Sequence, residues 1–269
     1  MVVYSYGREG LVSRPSLLEA LRFPNKDHLT VCLTGGGGKT SVMYRLADEL
    51  AARGKCVIVT TTTHIFRPSD RMVIETARAG TVGAWIAEHN TGSGVVLVAG
   101  QLEESPSHTD TAEFAKQRER KLKSLPLSEI SELSAIGDVL LIEADGAKRL
   151  PVKVPREGEP VIPPETDVVV GCVGLDCVGQ PLETVCFRSE LAEELLHRPK
   201  THRITAADAA KILTDSRGTK KEVGNAAYRV VLNKADNEDR CQKAVEIMNK
   251  MRETGDGSEL ICAVTSFLC

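Results

Sequence analysis

The chain has 269 residues, with 34 Lys and Arg against 37 Asp and Glu, a formal net charge of −3, 42% hydrophobic residues and 26% charged ones. That profile excludes disordered, collagen-like and coiled-coil classes, and a chain of this length can bury a large core without disulfide or metal staples. An acidic balance without a long basic run also speaks against a dedicated nucleic-acid or membrane-surface binder, so a small-molecule ligand is the better expectation.

The N-terminal stretch MVVYSYGREGLVSRPSLLEAL has no apolar core flanked by basic residues. No window approaches the roughly 18 apolar residues of a membrane span, so the chain is expected in the cytoplasm. Residues 1–28 are expected as an N-terminal extension before a single α/β domain at 29–269. Residues 29–34, LTVCLT, are a short β-favouring run that glycines 35–38 end abruptly. In KTSVMYRLADELAAR, Val42, Leu46 and Leu50 with Met43 and Ala47 share one helical face, and Gly54 stands where a C-terminal cap belongs. Similar apolar runs recur at 55–60, 94–99, 138–143, 167–173, 228–232 and 259–264, with helical patterns between several of them. Continuous Val/Ile/Leu strands alternating with helices predict an α/β fold with a mostly parallel sheet covered on both faces. Five of the twelve prolines gather at 151–164, PVKVPREGEPVIPP, which predicts a long ordered loop of functional weight.

The strand–glycine–helix junction Gly35-Gly36-Gly37-Gly38-Lys39-Thr40-Ser41 carries the first chemistry. Glycines let successive N–H groups curl around phosphate oxygens, and the following helix adds its positive end. Lys39 would reach the outer phosphates and the Thr40 hydroxyl would ligate Mg²⁺. Leu33 stands where the common spacing wants a glycine, so this is a variant loop. In Asp138-Val-Leu-Leu-Ile-Glu143-Ala-Asp145, two acids at i and i+2 point to one side of an extended chain. Glu143 is the expected metal-side residue and Asp145 the one nearer the attacking water, with Lys39 as the third catalytic group. Thr60 to Thr63 and His64, at another strand end, could line a γ-phosphate or an acceptor pocket. Asn233-Lys234-Ala235-Asp236 matches the Asn-Lys-x-Asp guanine reader: Asp236 would accept from guanine N1–H and its amine, Asn233 would brace the loop, and Lys234 would lie along the purine. Thr265 and Ser266 stand where GTPases often place a further base contact. The plainer alternatives are a glycine turn with an incidental Lys-Thr, an Asp-Gly turn after a strand, and a helix N-terminal turn at 233–236.

Together TGGGGKTS, VTTTTHI, IEADGAKRLPVKVP with EPVIP, VVGCVGLDCVGQPL and LNKAD resemble the YqeC-like family, the selenium-dependent hydroxylase accessory proteins, from about Leu29 to Asp236. The resemblance implies a P-loop NTPase that helps mature selenium-containing molybdenum hydroxylases, with such a hydroxylase or its cofactor-maturation proteins as partners. The expected ligands are Mg²⁺ and GTP, or ATP. The alternatives are an ATP-dependent kinase, nucleotidyltransferase or ligase acting on a small molecule, and a nucleotide-gated scaffold without turnover. Lys148, Arg149, Lys153 and Arg156 follow the acids and could dock an anionic acceptor or a client protein. Asp176 lies just past a strand end, at the rim where ligands bind. The eight cysteines lack a CxxC pair and fall mostly in apolar runs, so reduced core thiols are expected, with Cys172, Cys177 and Cys186 as a remoter candidate for handling a soft element. His197 and His202 have no evident partner in the sequence.

Overall fold

The computed structural model describes residues 2–7, 10–76, 78–89, 94–102, 121–254 and 259–268. Cys269 lies outside them. The buried Val/Ile/Leu runs form the strands β3 (Leu29–Gly35), β4 (Cys56–Thr61), β7 (Val95–Leu102), β9 (Val139–Glu143), β11 (Val168–Gly174), β13 (Ala227–Asn233) and β14 (Cys262–Ser266). These lie side by side in the order β14-β13-β11-β3-β9-β4-β7, all parallel. Short strands widen the sheet at both margins. On one side, β1 (Val2–Gly7) pairs antiparallel with β14 and with β2 (Gly10–Ser13). On the other, β7 takes β6 (Met72–Glu75) in parallel and β8 (Lys121–Lys123) antiparallel, and β8 in turn pairs with β5 (His64–Phe66).

Alternation along the strands sorts the helices onto two faces. Val31, Leu33, Val57, Val59 and Leu141 pack with α1 (Leu17–Leu21) and α2 (Lys39–Ala51). Their neighbours Cys32, Ile58, Leu140 and Ile142 point the other way, toward α3 (Ala79–Glu88) and α4 (Leu127–Leu133). Farther along that second face, Val230, Leu232 and Val264 meet α7 (Ala206–Thr214) and α8 (Glu238–Thr254). Both faces are therefore apolar, which is why the strands read as continuous hydrophobic runs. Gly54 adopts a positive φ of 82° a few residues after α2 ends at Ala51.

The proline-rich segment is extended and ordered. It contains β10 (Val152–Lys153), which pairs in parallel with β12 (Cys186–Phe187), and Val152, Lys153 and Val154 are buried. Short helices α5 (Leu182–Val185) and α6 (Ser189–Leu196) flank β12. Because β9 and β11 lie on either side of β3, the carboxyl ends of all three converge, and the segment from 150 to 153 passes over them. Crevices outside strand carboxyl ends are where open α/β sheets bind ligands.

Candidate functional site

The glycine loop is clamped by its neighbours. The Gly36 N–H donates to the Cys172 carbonyl at 2.9 Å and the Gly37 N–H to the Leu150 carbonyl at 3.1 Å. Gly37 has φ 71°, and a Cβ there would sit 2.0 Å from the Gly174 nitrogen, so only glycine lets the loop pass this close to the end of β11. α2 begins at once, with Gly38 as its N-cap and no side chain capping it. Helix geometry leaves the amides of Lys39, Thr40 and Ser41 without intrahelical acceptors, at the positive end of a 13-residue helix.

The two acids of the second motif both face this loop. Glu143 Oε2 accepts from the Thr40 hydroxyl at 2.6 Å, and Asp145 Oδ2 accepts from the Gly35 N–H at 3.2 Å. The Lys39 ammonium donates to the Gly35 carbonyl at 2.6 Å and lies 3.0 Å from Asp145 Oδ1. Burial pushes the Glu143 carboxyl up from its ordinary value, an effect that Lys39 and the Thr40 hydroxyl only partly offset. Burial alone would lower the Lys39 ammonium, but the Asp145 and Glu143 charges outweigh it and the net shift is upward, so Lys39 is a cation at neutral pH.

Behind Asp145 the charges continue. Lys153 is fully buried, 2.6 Å from Glu159 and 3.4 Å from Asp145. Glu159 also receives two hydrogen bonds from Arg188, at 2.9 and 3.0 Å, and one from Arg156 at 3.1 Å. Burial would raise the Glu159 carboxyl, yet hydrogen bonds from Lys153 and Arg188 outweigh it and hold it below its ordinary value. Lys153 is thus a structural cation sealed inside the protein, which corrects the expectation that it offers an exposed docking charge.

The Asn-Lys-Ala-Asp segment closes β13 beside the loop. Asn233 Nδ2 donates to the Gly37 carbonyl at 2.7 Å, while its Oδ1 accepts from Thr265 and from the Lys234 N–H. Lys234, at φ 66°, reaches Asp176 at 2.6 Å. Asp236 is held by the Ser266 hydroxyl at 2.7 Å and by Arg240 at 2.6 Å. Thr265 and Ser266 are the last residues of β14 and reach this segment through Asn233 and Asp236.

A cavity of about 570 Å³ opens over the loop. Gly36, Gly37, Gly38, Lys39, Thr40 and Ser41 form one wall, with Glu143 and Lys234 beside them. The opposite wall is His64, Ile65, Phe66 and Lys121 with residues 146–150. Gly35 and Asp145 lie beneath this surface, and Asn233 and Asp236 stand outside the lining. Of the threonine run, Thr63 reaches the cavity, whereas Thr60 and Thr61 are buried in β4 and Thr61 bonds the Glu143 carbonyl. The wall around Phe66 and Lys121 carried no sequence signal, because β5 and β8 are three-residue strands paired across 57 positions of sequence. Glu159 opens the EPVIP segment, but its ion-pair role had no local signal, because Arg188 reaches it only through the fold.

The Thr40 hydroxyl and Glu143 carboxylate, 2.6 Å apart at the cavity edge, are hard oxygen donors of the kind that suit Mg²⁺. Cys172, Cys177 and Cys186 are buried, and burial pushes their thiols up, to about 12 for Cys172 and Cys186. Among the described residues no three His, Cys, Asp or Glu side chains are grouped to hold a metal. His202 does have a partner, its Nε2–H donating to Asp208 Oδ2 at 2.7 Å.

The sequence profile of the YqeC protein matches residues 31–190, more than half of the chain and the stretch that builds the loop, both acids and the proline-rich segment. The chain belongs to the YqeC family. It is also 30% identical over 176 residues to the uncharacterized protein YqeC of Escherichia coli strain K12, a match covering 63% of this chain and 61% of that protein. The family match ends before β13, so the Asn-Lys-Ala-Asp segment lies beyond it. No helix among the described residues is long and apolar enough to cross a membrane.

Proposed function

We propose that this YqeC family member is a P-loop NTPase that binds a magnesium–nucleotide complex, GTP in preference to ATP, and serves the maturation of selenium-dependent molybdenum hydroxylases. The observation that carries the nucleotide reading is the junction at 35–41: a clamped glycine loop running into an uncapped helix N-terminus, with the Thr40–Glu143 pair at 2.6 Å beside it. That arrangement is a concave set of donors with a cation at its edge, complementary to a polyphosphate. Thr40 and Glu143 would hold Mg²⁺, which when bound would neutralise charge on the outer phosphates.

The remaining roles belong to the chain's own groups. Lys39 exchanges its contact with Asp145 for a phosphate oxygen, and Asp145, still anchored by the Gly35 amide and Lys153, is left free to orient a water. Support for guanine comes from Asn233, which braces the loop through the Gly37 carbonyl, and from Asp236, whose carboxylate is oriented by Ser266 and Arg240. A carboxylate has about four lone-pair sites, so two such partners leave room for guanine N1–H and its amine. The maturation role rests on the family resemblance of the motifs.

Isothermal titration with GTP and ATP, each with and without Mg²⁺, tests the reading. Expected is Mg²⁺-dependent binding, at least tenfold tighter for GTP, that Lys39→Ala abolishes. Equal affinity for the two nucleotides would remove the guanine assignment, and heat-silent titrations with both would remove the nucleotide.

A further inference from the structure

A second cavity, of about 610 Å³, adjoins the first and shares Thr63, His64, Gly146 and Lys148 with it. Its own walls are Thr62, Lys123, Ser124, Arg156, Glu159 and Phe187. Three cations thus stand against one acid, in a chain whose net charge is −3. The acid is already committed, since Glu159 accepts from Lys153, Arg188 and Arg156. Lys123 and Lys148 have no carboxylate partner among the described residues, and Lys148 rests over the Phe187 ring at 5.1 Å. The Thr62 hydroxyl is buried and has no hydrogen-bond partner among the described residues.

A buried hydroxyl without a partner is destabilising, so its persistence beside uncompensated ammonium groups calls for an acceptor from outside the chain. An oxyanion fits both demands: it accepts from hydroxyls and neutralises lysines. A carbohydrate or other neutral polyol would leave the lysines unpaired, and a cation would be repelled. The position matters as much as the chemistry. The two cavities share Thr63, His64, Gly146 and Lys148 in their walls, so an occupant of the second lies one residue's thickness from whatever fills the first. A buried run of alternating charges, Lys39–Asp145–Lys153–Glu159, links a wall residue of the first cavity to one of the second.

Resting on the nucleotide reading of the first cavity, we infer that the second is the binding site of an oxyanion-bearing small molecule, held by Lys123, Lys148 and the Thr62 hydroxyl next to the nucleotide's phosphates. The test uses the full chain with ¹⁵N-labelled amides, saturated with Mg²⁺ and a non-hydrolysable GTP analogue, and titrated with phenyl phosphate or benzoate. Phenyl phosphate is expected to shift the amides of Thr62, Thr63 and Ser124 saturably without displacing the nucleotide from Gly36–Ser41. The double variant Lys123→Gln/Thr62→Val should weaken that binding at least tenfold, with nucleotide affinity unchanged and the thermal midpoint no lower than that of the wild type, since the unpartnered hydroxyl is removed. Binding of benzoate as well would assign the site to oxyanions in general, and binding of phenyl phosphate alone to phosphate esters. The proposal falls if neither probe gives a saturable shift, if the double variant binds as the wild type does, or if the probe competes with the nucleotide. Absence of nucleotide shifts at 36–41 with the probe still binding at 62–63 would overturn the first reading and leave the second site standing.

Discussion

Replacing Lys153 by methionine isolates the charge network under the site. Methionine keeps most of the side-chain volume, so the change removes the ammonium and little packing. The ammonium is fully buried and serves two carboxylates, Glu159 at 2.6 Å and Asp145 at 3.4 Å. Deleting one member of a buried ion pair costs about 3–5 kcal/mol, because the partner is left charged and dry. Here each carboxylate keeps other support: Asp145 retains Lys39 at 3.0 Å and the Gly35 amide, and Glu159 retains the paired hydrogen bonds of Arg188. The expected loss is therefore at the low end, about 3 kcal/mol. With a urea slope near 3 kcal/mol per M, the midpoint of equilibrium unfolding followed by circular dichroism should fall by about 1 M. A fall below about 0.3 M, or a variant as stable as the wild type, would refute the claim that Lys153 compensates these acids.

Asp236→Asn should weaken GTP binding at least tenfold, the worth of about 1.5–3 kcal/mol for a hydrogen bond to a charged group, and improve xanthosine triphosphate binding; competition titration reads both. Glu143→Gln should leave nucleotide affinity without Mg²⁺ within about twofold while removing the tightening that Mg²⁺ confers, and orthophosphate release should drop with it. Gly37→Ala should destabilise the fold and abolish nucleotide binding together, since its Cβ would meet the Gly174 nitrogen at 2.0 Å; a stable, binding-competent variant in the same titrations would contradict the clamped loop. Stability should also decline in acid. Glu159 and Asp208 are both held below their ordinary values, 4.5 and 3.8, because hydrogen bonds outweigh the upward push of burial. Their contribution is complete above those values and is lost as pH falls through the lower folded-state ones. Urea midpoints from pH 6 down to about 2 should flatten in a Glu159→Gln/Asp208→Asn variant.

The central seven strands were legible because both of their faces are buried, so Val57-Ile58-Val59 or Leu140-Leu141-Ile142 need no polar alternation and stand out as unbroken apolar runs. The spacing of Glu143 and Asp145 was legible for a related reason: on an extended chain, i and i+2 share a side, and both do face the loop. The marginal strands were not. Val2–Gly7 mixes tyrosine, serine and glycine, and His64–Phe66 is three residues long, so their strand character comes from an edge already in place rather than from their own pattern.

By itself the sequence determined what local chemistry can dictate: which runs must be buried strands, where glycine lets the chain turn, and which residue types cluster at strand ends. Only the tertiary structure decided which charges are paired. Lys153 reads as a solvated lysine like its neighbours Lys148 and Arg156, yet it is sealed between Asp145 and Glu159, and Glu159 is completed by Arg188, 29 residues on. Burial and Coulomb pairing depend on distances through space. No one-dimensional pattern encodes those distances until the sheet has set them.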